Sequence, residues 1–218
     1  ARLQDRWPFG WLALTAFLFK FNTESFRELA DALAAGSAAP SIPGIAATRP
    51  GGSLSFERRR FSPADLVEDR PPRYDLVAAY RSHYTLLGLP LGFVTSAFGC
   101  PHACHFCCIS AQTGGSYLPC SIDAVVRDMA LLGDVPLIRM VDANTFAHPE
   151  HARRLARAIR DAGLQRGLFG DVRSDTVVRH PELMREWRET GLRTVVIGFE
   201  EITDLGLSRM NKANSVAA

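Results

Sequence analysis

From residue 91 onward, short apolar runs alternate with amphipathic segments, and no other feature of the chain restricts its fold as much. Gly92-Phe93-Val94-Thr95-Ser96, Leu137-Ile138-Arg139-Met140-Val141, Gly167 to Val172 and Thr194-Val195-Val196-Ile197-Gly198 have the length and apolar character of strands. Between them, a helix capped by Ser121 sets Ile122, Val125, Val126, Met129 and Leu132 on one stripe and ends at Gly133. A second helix has Pro149 in its first turn, turns Ala152, Leu155, Ala156 and Ile159 inward and stops at Gly163. A third opens at His180-Pro181-Glu182, buries Leu183, Met184 and Trp187, and closes at Gly191. Strands and helices alternating in this way imply right-handed crossovers, a parallel sheet with helices outside, and ligands at the carboxyl ends of the strands. The expected fold class is α/β, a partial parallel (β/α) half-barrel of about four strand–helix units.

Residues 1–90 read as a connector. Asn22 or Thr23 caps a helix over Glu24 to Ala35 with Phe26, Leu29, Ala30 and Leu33 on its inner face, and Gly36 stops it. Residues 37–73 are rich in Pro, Gly and Ser; Gly44 to Thr48 and Ser53 to Phe56 flank the turn signal Pro50-Gly51-Gly52 as a hairpin. A short helix is expected between Tyr74 and Tyr84. Trp7 to Phe21 is too short to span a membrane and carries Pro8 and Gly10, so it reads as a buried strand or helix of a domain that began upstream. The chain opens on Ala1 and is expected to be a fragment of a longer protein.

Composition excludes some functions. With 218 residues, 47% hydrophobic and 22% charged, the chain is an ordinary globular protein with enough length for a core. A net charge of +2 makes no electrostatic case for nucleic acid or for an anionic membrane, and Glu57-Arg58-Arg59-Arg60 reads as a solvated edge. Four of the five cysteines crowd into residues 100–108, too close for mutual disulfides, which argues for the reducing cytoplasm.

Those cysteines carry the chemistry. Gly99-Cys100-Pro101-His102-Ala103-Cys104-His105-Phe106-Cys107-Cys108 follows the first strand and spaces three thiols as C-x3-C-x2-C. Thiolates select zinc, copper(I) or iron–sulfur clusters. Structural zinc wants four closed ligands; Cys108, Cys120, His102 or His105 could complete its tetrahedron, yet zinc ribbons use two pairs separated by a longer loop, and this chain has no second pair. Buried packing thiols fit poorly with the polar, kinked loop made by Pro101, His102 and His105. A four-iron cluster on three thiolates leaves one iron open for chemistry. Asp142 with Asn144, Arg173 with Asp175, and Glu200 with Glu201 each follow the end of an expected strand, on the same rim as the cysteines.

This motif, with Phe106 before the third cysteine and the first barrel strand before it, resembles the radical S-adenosylmethionine (SAM) enzymes. The stretches Arg139 to Phe146, Asp171 to Asp175, His180 to Leu183, Val196 to Glu200 and Asn211-Lys212 look like the barrel strands of the subgroup that carries a cobalamin-binding domain ahead of the radical SAM domain. The helix around Phe26 to Leu33 and the Ile42-Pro43-Gly44 turn are similar to that subgroup's connector. The resemblance implies a four-iron four-sulfur cluster on Cys100, Cys104 and Cys107, with Phe106 beside the adenine of SAM and Asp142, Asn144, Arg173 and Glu200 as further SAM-binding candidates. Reductive cleavage of SAM would start radical chemistry, whether methyl transfer, cyclisation or rearrangement, on an unactivated carbon of a small-molecule substrate. An electron donor such as flavodoxin or ferredoxin would serve as partner, and cobalamin would enter only through an upstream domain that precedes residues 1–90. Residues 91–218 would form the N-terminal part of the barrel. Cys108 lies outside the triad as a packing thiol and Cys120 has no assigned role. The alternative is a non-catalytic metal-binding or electron-transfer module with a fully ligated iron–sulfur or zinc site.

Overall fold

A computed structural model describes residues 17–18, 23–36, 42–47, 55–57 and 70–216. The chain divides into two compact units, Ala1–Val67 and Glu68–Ala218. In the first, helix α1 (Thr23–Ala34) accompanies three short strands, β1 (Phe17–Leu18), β2 (Ile45–Ala47) and β3 (Ser55–Phe56), with β2 antiparallel to both neighbours. The expected hairpin is therefore present as β2 and β3, while its turn, Pro50-Gly51-Gly52, lies outside the described residues, as do most of Trp7 to Phe21 and the run Arg58 to Arg60. The buried face of α1 includes Leu29 and Leu33 as expected, but Ser25 takes the place of Phe26 and Ala30. Ser25 and Leu29 are buried with Ile42 and Ile45, whereas Phe26 is exposed. Ser25 Oγ donates to the Pro43 carbonyl at 2.6 Å, which draws the i, i+4 row through Ser25 and Leu29 inward.

The second unit opens with a 3-10 helix (Tyr74–His83) and the strands β4 (Thr85–Leu86) and β5 (Leu89–Val94). After a ribbon of β6 (Ala97–Gly99) and β7 (Tyr117–Pro119) come α3 (Ile122–Leu131), β8 (Leu137–Met140), α4 (Pro149–Asp161), β9 (Gly167–Arg173), α5 (Ser174–Arg179), α6 (Pro181–Thr190), β10 (Leu192–Gly198) and α7 (Asp204–Arg209); α2 (Cys108–Thr113) lies inside the ribbon. The main sheet has the order β10-β9-β8-β5-β4. All pairs are parallel except the hairpin β4–β5, so the half-barrel is mixed at one edge. Register sets Val94 beside Met140 and Ile138 beside Leu168, and these side chains are buried. On the alternate positions, Phe93, Arg139 and Phe169 lie in one cross-strand row and stay partly open, as period-two alternation requires.

The helices cover the buried face. Trp187 of α6 is fully buried, donates Nε1–H to the Ala152 carbonyl of α4 at 3.1 Å, and meets the Phe146 ring edge-on at 5.1 Å. At Gly191 φ is +126°, and a Cβ would stand 2.0 Å from the Arg166 carbonyl oxygen, so only glycine admits the close pass from α6 into β10. Ser121 caps α3, its Oγ accepting from Ala124 N at 3.3 Å. Ser121→Ala is expected to cost about 1 kcal/mol in urea unfolding; an unchanged midpoint would show that the cap carries no stability.

Two elements depart from the expected order. The cysteine loop does not follow the first parallel strand directly but sits within the β6–β7 ribbon, and α5 continues β9 without a loop. Strands of three residues are too short to show periodicity, and their pairing spans about twenty residues, so no local pattern announces the ribbon.

Candidate functional site

The cysteine loop is aimed by a carboxylate at its base. Asp142, just past β8 and 2% exposed, accepts Ser96 N–H at 2.7 Å and Ala97 N–H at 3.0 Å on Oδ1, and the Ser96 hydroxyl at 2.6 Å on Oδ2. Both oxygens are thus engaged in the turn between β5 and β6 that leads into the loop. Burial pushes the Asp142 carboxyl up, against the pull of these hydrogen bonds.

Within the loop, Cys104 is buried, Cys100 and Cys107 are half-buried, and Cys108 is exposed at the start of α2. Cys107 N–H donates to the Cys104 carbonyl at 3.1 Å. Burial pushes the Cys100 thiol up, and the neighbouring Cys104 and Cys107 act in the same direction, as expected of three sulfurs brought together. Cys120 is elsewhere, buried in the hydrophobic core with Val94 and Met140. Among the described residues no three His, Cys or carboxylate side chains are disposed to close on a single metal ion. Three thiolates binding different irons of a cube stand farther apart than the ligands of one tetrahedral zinc, whose Zn–S bonds are about 2.3 Å.

The segment after α7 holds the loop from a distance of about a hundred residues. His105 N–H donates to the Met210 carbonyl at 2.9 Å, His105 Nδ1 stands 3.0 Å from the Arg209 carbonyl, and Asn211 Nδ2 donates to the Ala103 carbonyl at 2.8 Å. Lys212, 4% exposed, pairs through Nζ with Glu200 Oε1 at 3.1 Å and stands 5.8 Å from the centroid of the Phe106 ring. Phe106 itself is 53% exposed. A Cβ on Gly198 would lie 2.6 Å from Glu200 Oε1 and 3.0 Å from Lys212 Nζ, so the bare glycine leaves room for this pair at the end of β10. Glu200 has φ +66°, an uncommon conformation for a glutamate and one found preferentially where a side chain must be aimed.

Arg173, at the end of β9, ties the two parts together. Its Nε donates to Asp175 Oδ1 at 2.9 Å, Nη2 to the Lys212 carbonyl at 2.5 Å, and Nη1 to Cys104 Sγ at 3.8 Å. Arg173 and Asp175 are both buried. Asn144 is different again: it is 2% exposed, and neither its Nδ2 nor its Oδ1 has a partner. A buried amide without partners costs about 1–3 kcal/mol, so a polar ligand is the natural complement of this position.

Of the residues singled out from sequence, the structure brings Cys100, Cys104, Cys107, Phe106, Arg173 and Glu200 into one neighbourhood with Lys212. Asp142 stands under the loop as its brace. Asn211 and Lys212 entered the sequence analysis only within a stretch that carries the resemblance, and His105 only as a possible zinc ligand; in sequence, a lysine after a short helix looks like any solvated lysine.

A half-barrel that is parallel except at one edge gathers three thiols at its carboxyl rim, beside a buried lysine paired with Glu200. The chain belongs to the Radical SAM superfamily, whose model matches residues 94–218. It is 28% identical over 153 residues to the hopanoid C-3 methylase of Methylococcus capsulatus, covering 70% of this chain and 29% of that protein. It is 27% identical over 179 residues to an uncharacterized methyltransferase of Pyrococcus horikoshii, covering 81% of this chain and 38% of that protein. The chain thus spans about a third of the length of these curated relatives. Among solved structures, the cobalamin-dependent SAM radical enzyme OxsB with aqua-cobalamin bound superposes with a TM-score of 0.71 at 16% identity, over 93% of this chain and 30% of that one. The radical SAM methyltransferase TsrM of Kitasatospora setae, with cobalamin and a [4Fe-4S] cluster bound, gives a TM-score of 0.70 at 18% identity, over 92% of this chain and 41% of that one. No helix among the described residues is long and apolar enough to cross a membrane.

Proposed function

We propose that Cys100, Cys104 and Cys107 hold a four-iron four-sulfur cluster whose remaining iron is free of protein ligands and takes SAM, and that the chain is the cluster- and SAM-binding part of a radical SAM methyltransferase. The observation that carries this reading is the thiol loop fastened to the rim together with Asn144, a buried amide with no protein partner. When bound, the cluster supplies the single electron that cleaves SAM reductively to methionine and a 5′-deoxyadenosyl radical.

The chain's own residues bind, orient and exclude water. The donor set fits the group, because three thiols are gathered in the loop while the fourth, Cys108, is exposed at the start of α2, which leaves one coordination site open. Asn144 offers one acceptor and two donors, which suits the amino and carboxylate groups or the ribose hydroxyls of SAM. Phe106, open to solvent beside Lys212, supplies an apolar face for the adenine. Glu200, held by Lys212, presents its carboxylate to the same rim. Asp142 acts through the loop it braces. Methyl transfer to an unactivated carbon of a small molecule is favoured over cyclisation or rearrangement because two relatives are named as methylating enzymes.

In the longer protein, residues 1–90 would link a preceding domain to the barrel that residues 91–218 open. Cobalamin, where the reaction uses it, would be held by that preceding domain. A flavodoxin or ferredoxin in the cytoplasm would deliver the electron.

The test is SAM binding by the anaerobically reconstituted protein. SAM is expected to alter the electron paramagnetic resonance spectrum of the reduced cluster, and a spectrum left unchanged at full iron content would sink the reading in favour of a fully ligated cluster. Asn144→Leu is expected to weaken SAM binding roughly tenfold, for the loss of about 1–2 kcal/mol of hydrogen bonding, while the SAM-free protein melts no lower than the unaltered chain. A drop in melting temperature without loss of SAM affinity would instead make Asn144 a structural residue.

A further inference from the structure

We propose that Arg173 sets the reduction potential of the cluster by donating a charged N–H···S hydrogen bond to Cys104, an inference that rests on the assignment of Cys104 as a cluster ligand. The guanidinium is held from two sides. Asp175 Oδ1 takes Nε at 2.9 Å, Asp175 Oδ2 stands 3.5 Å from Nη2, and the Lys212 carbonyl takes Nη2 at 2.5 Å. With the planar fork pinned at Nε and Nη2, Nη1 has little freedom, and it stands 3.8 Å from Cys104 Sγ. The side chains of Arg173 and Asp175 are 9% and 8% exposed, so solvent screens this contact little.

Reduction adds a negative charge to the cluster and its sulfurs. A cation and an N–H donor at one of those sulfurs stabilise the reduced form more than the oxidised one and raise the potential, hydrogen bonds to sulfur and local charge being two of the terms that set it. Asp175 offsets part of this charge, but it engages Nε and Nη2, leaving Nη1 as the group that addresses the sulfur. Arg173 is thus a positioning residue that acts through Cys104. The Lys212 carbonyl that holds it belongs to the same segment that clamps the loop through Met210 and Asn211, so cluster environment and loop closure are linked through one stretch of chain.

The test is a redox titration of the reconstituted 218-residue chain without SAM, followed by electron paramagnetic resonance, so that a role in SAM binding cannot produce the shift. Arg173→Gln is expected to reduce the ratio of reduced to oxidised cluster about tenfold at a fixed potential, a shift of about 59 mV to lower potential for a one-electron couple. Arg173→Lys keeps the charge but not the fork and is expected to fall between the two; should Arg173→Gln not fold, a potential of Arg173→Lys below that of the unaltered chain decides. Arg153→Gln, which alters an ion pair with Glu150, Glu182 and Glu186 on the helices, is the control and should leave the potential unmoved. Potentials of both Arg173 variants equal to that of the unaltered chain, at equal iron content, overturn the proposal while leaving the cluster assignment intact. An unaltered chain that takes up no iron overturns the cluster assignment and this proposal with it.

Discussion

Cys104→Ala is expected to abolish cluster binding while the half-barrel stays folded: iron after reconstitution falls from about four per chain to background, and the brown colour is lost. The change deletes one sulfur atom at a residue 8% exposed, so the cavity left behind costs the apo protein no more than about 1 kcal/mol. The separation of the two effects is what makes the result informative. Cys100→Ala and Cys107→Ala should behave alike, since all three thiols lie in the loop held by the Arg209 to Lys212 segment. The two remaining cysteines give the contrast. Cys108 is exposed and Cys120 packs in the core beside Val94, so both alanine variants should retain full iron, with Cys120→Ala alone losing some thermal stability. A Cys104→Ala protein that keeps its iron, or a Cys120→Ala protein that loses it, would remove the triad as the ligand set.

The second large effect is expected at Asp142. Asp142→Ala leaves two backbone N–H groups and the Ser96 hydroxyl without their acceptors at a buried site, a loss of more than about 3 kcal/mol at about 1–3 kcal/mol for each unsatisfied group. Asp142→Asn retains the bonding pattern. Its Oδ1 accepts from Ser96 N and Ala97 N as before, and its Nδ2 donates to the Ser96 hydroxyl, which accepts as readily as it donates. What disappears is the burial of a charge, so the asparagine variant should match or exceed the native protein at neutral pH.

The pH dependence has a definite sign. Folding raises the Asp142 pKa, so the folded protein binds this proton more tightly than the unfolded chain. The stability linked to it is complete below the unfolded value near about 3.9 and is lost as pH rises through the folded value. Urea melts from pH 4 upward should therefore show the native protein losing stability relative to Asp142→Asn. A difference that grows in favour of the native protein with rising pH, or an asparagine variant as unstable as the alanine one, would contradict the brace.

Much of the second unit was legible because its signals are local. Ser121, Pro149, Gly163 and Gly191 mark helix ends within one turn, and the apolar stripes of α3, α4 and α6 repeat at the period that a sheet-packed helix requires. The C-x3-C-x2-C spacing and the polar residues past each strand end were equally readable, since strand–loop–helix order alone places them on one rim. On the inner face of α1, Leu29 and Leu33 were read as found, while Ser25 rather than Phe26 turns inward, held by its hydrogen bond to Pro43. The β6–β7 ribbon and α5 were not legible, being too short to carry a period.

By itself, the sequence determined an α/β half-barrel and a cysteine loop at its carboxyl rim, because hydrophobic period, caps and ligand spacing are properties of neighbouring residues. Only the tertiary structure decided what surrounds the thiols. It turned Asp142 from a rim candidate into the brace of the loop, buried Lys212 between Glu200 and Phe106, aimed Arg173 at Cys104, and left Asn144 without a partner. The Asp142 brace joins groups 46 residues apart and the Arg173 contact groups 69 apart; both meet in a low-dielectric site, where partnership rather than residue type sets whether a polar group braces, tunes or waits for a ligand.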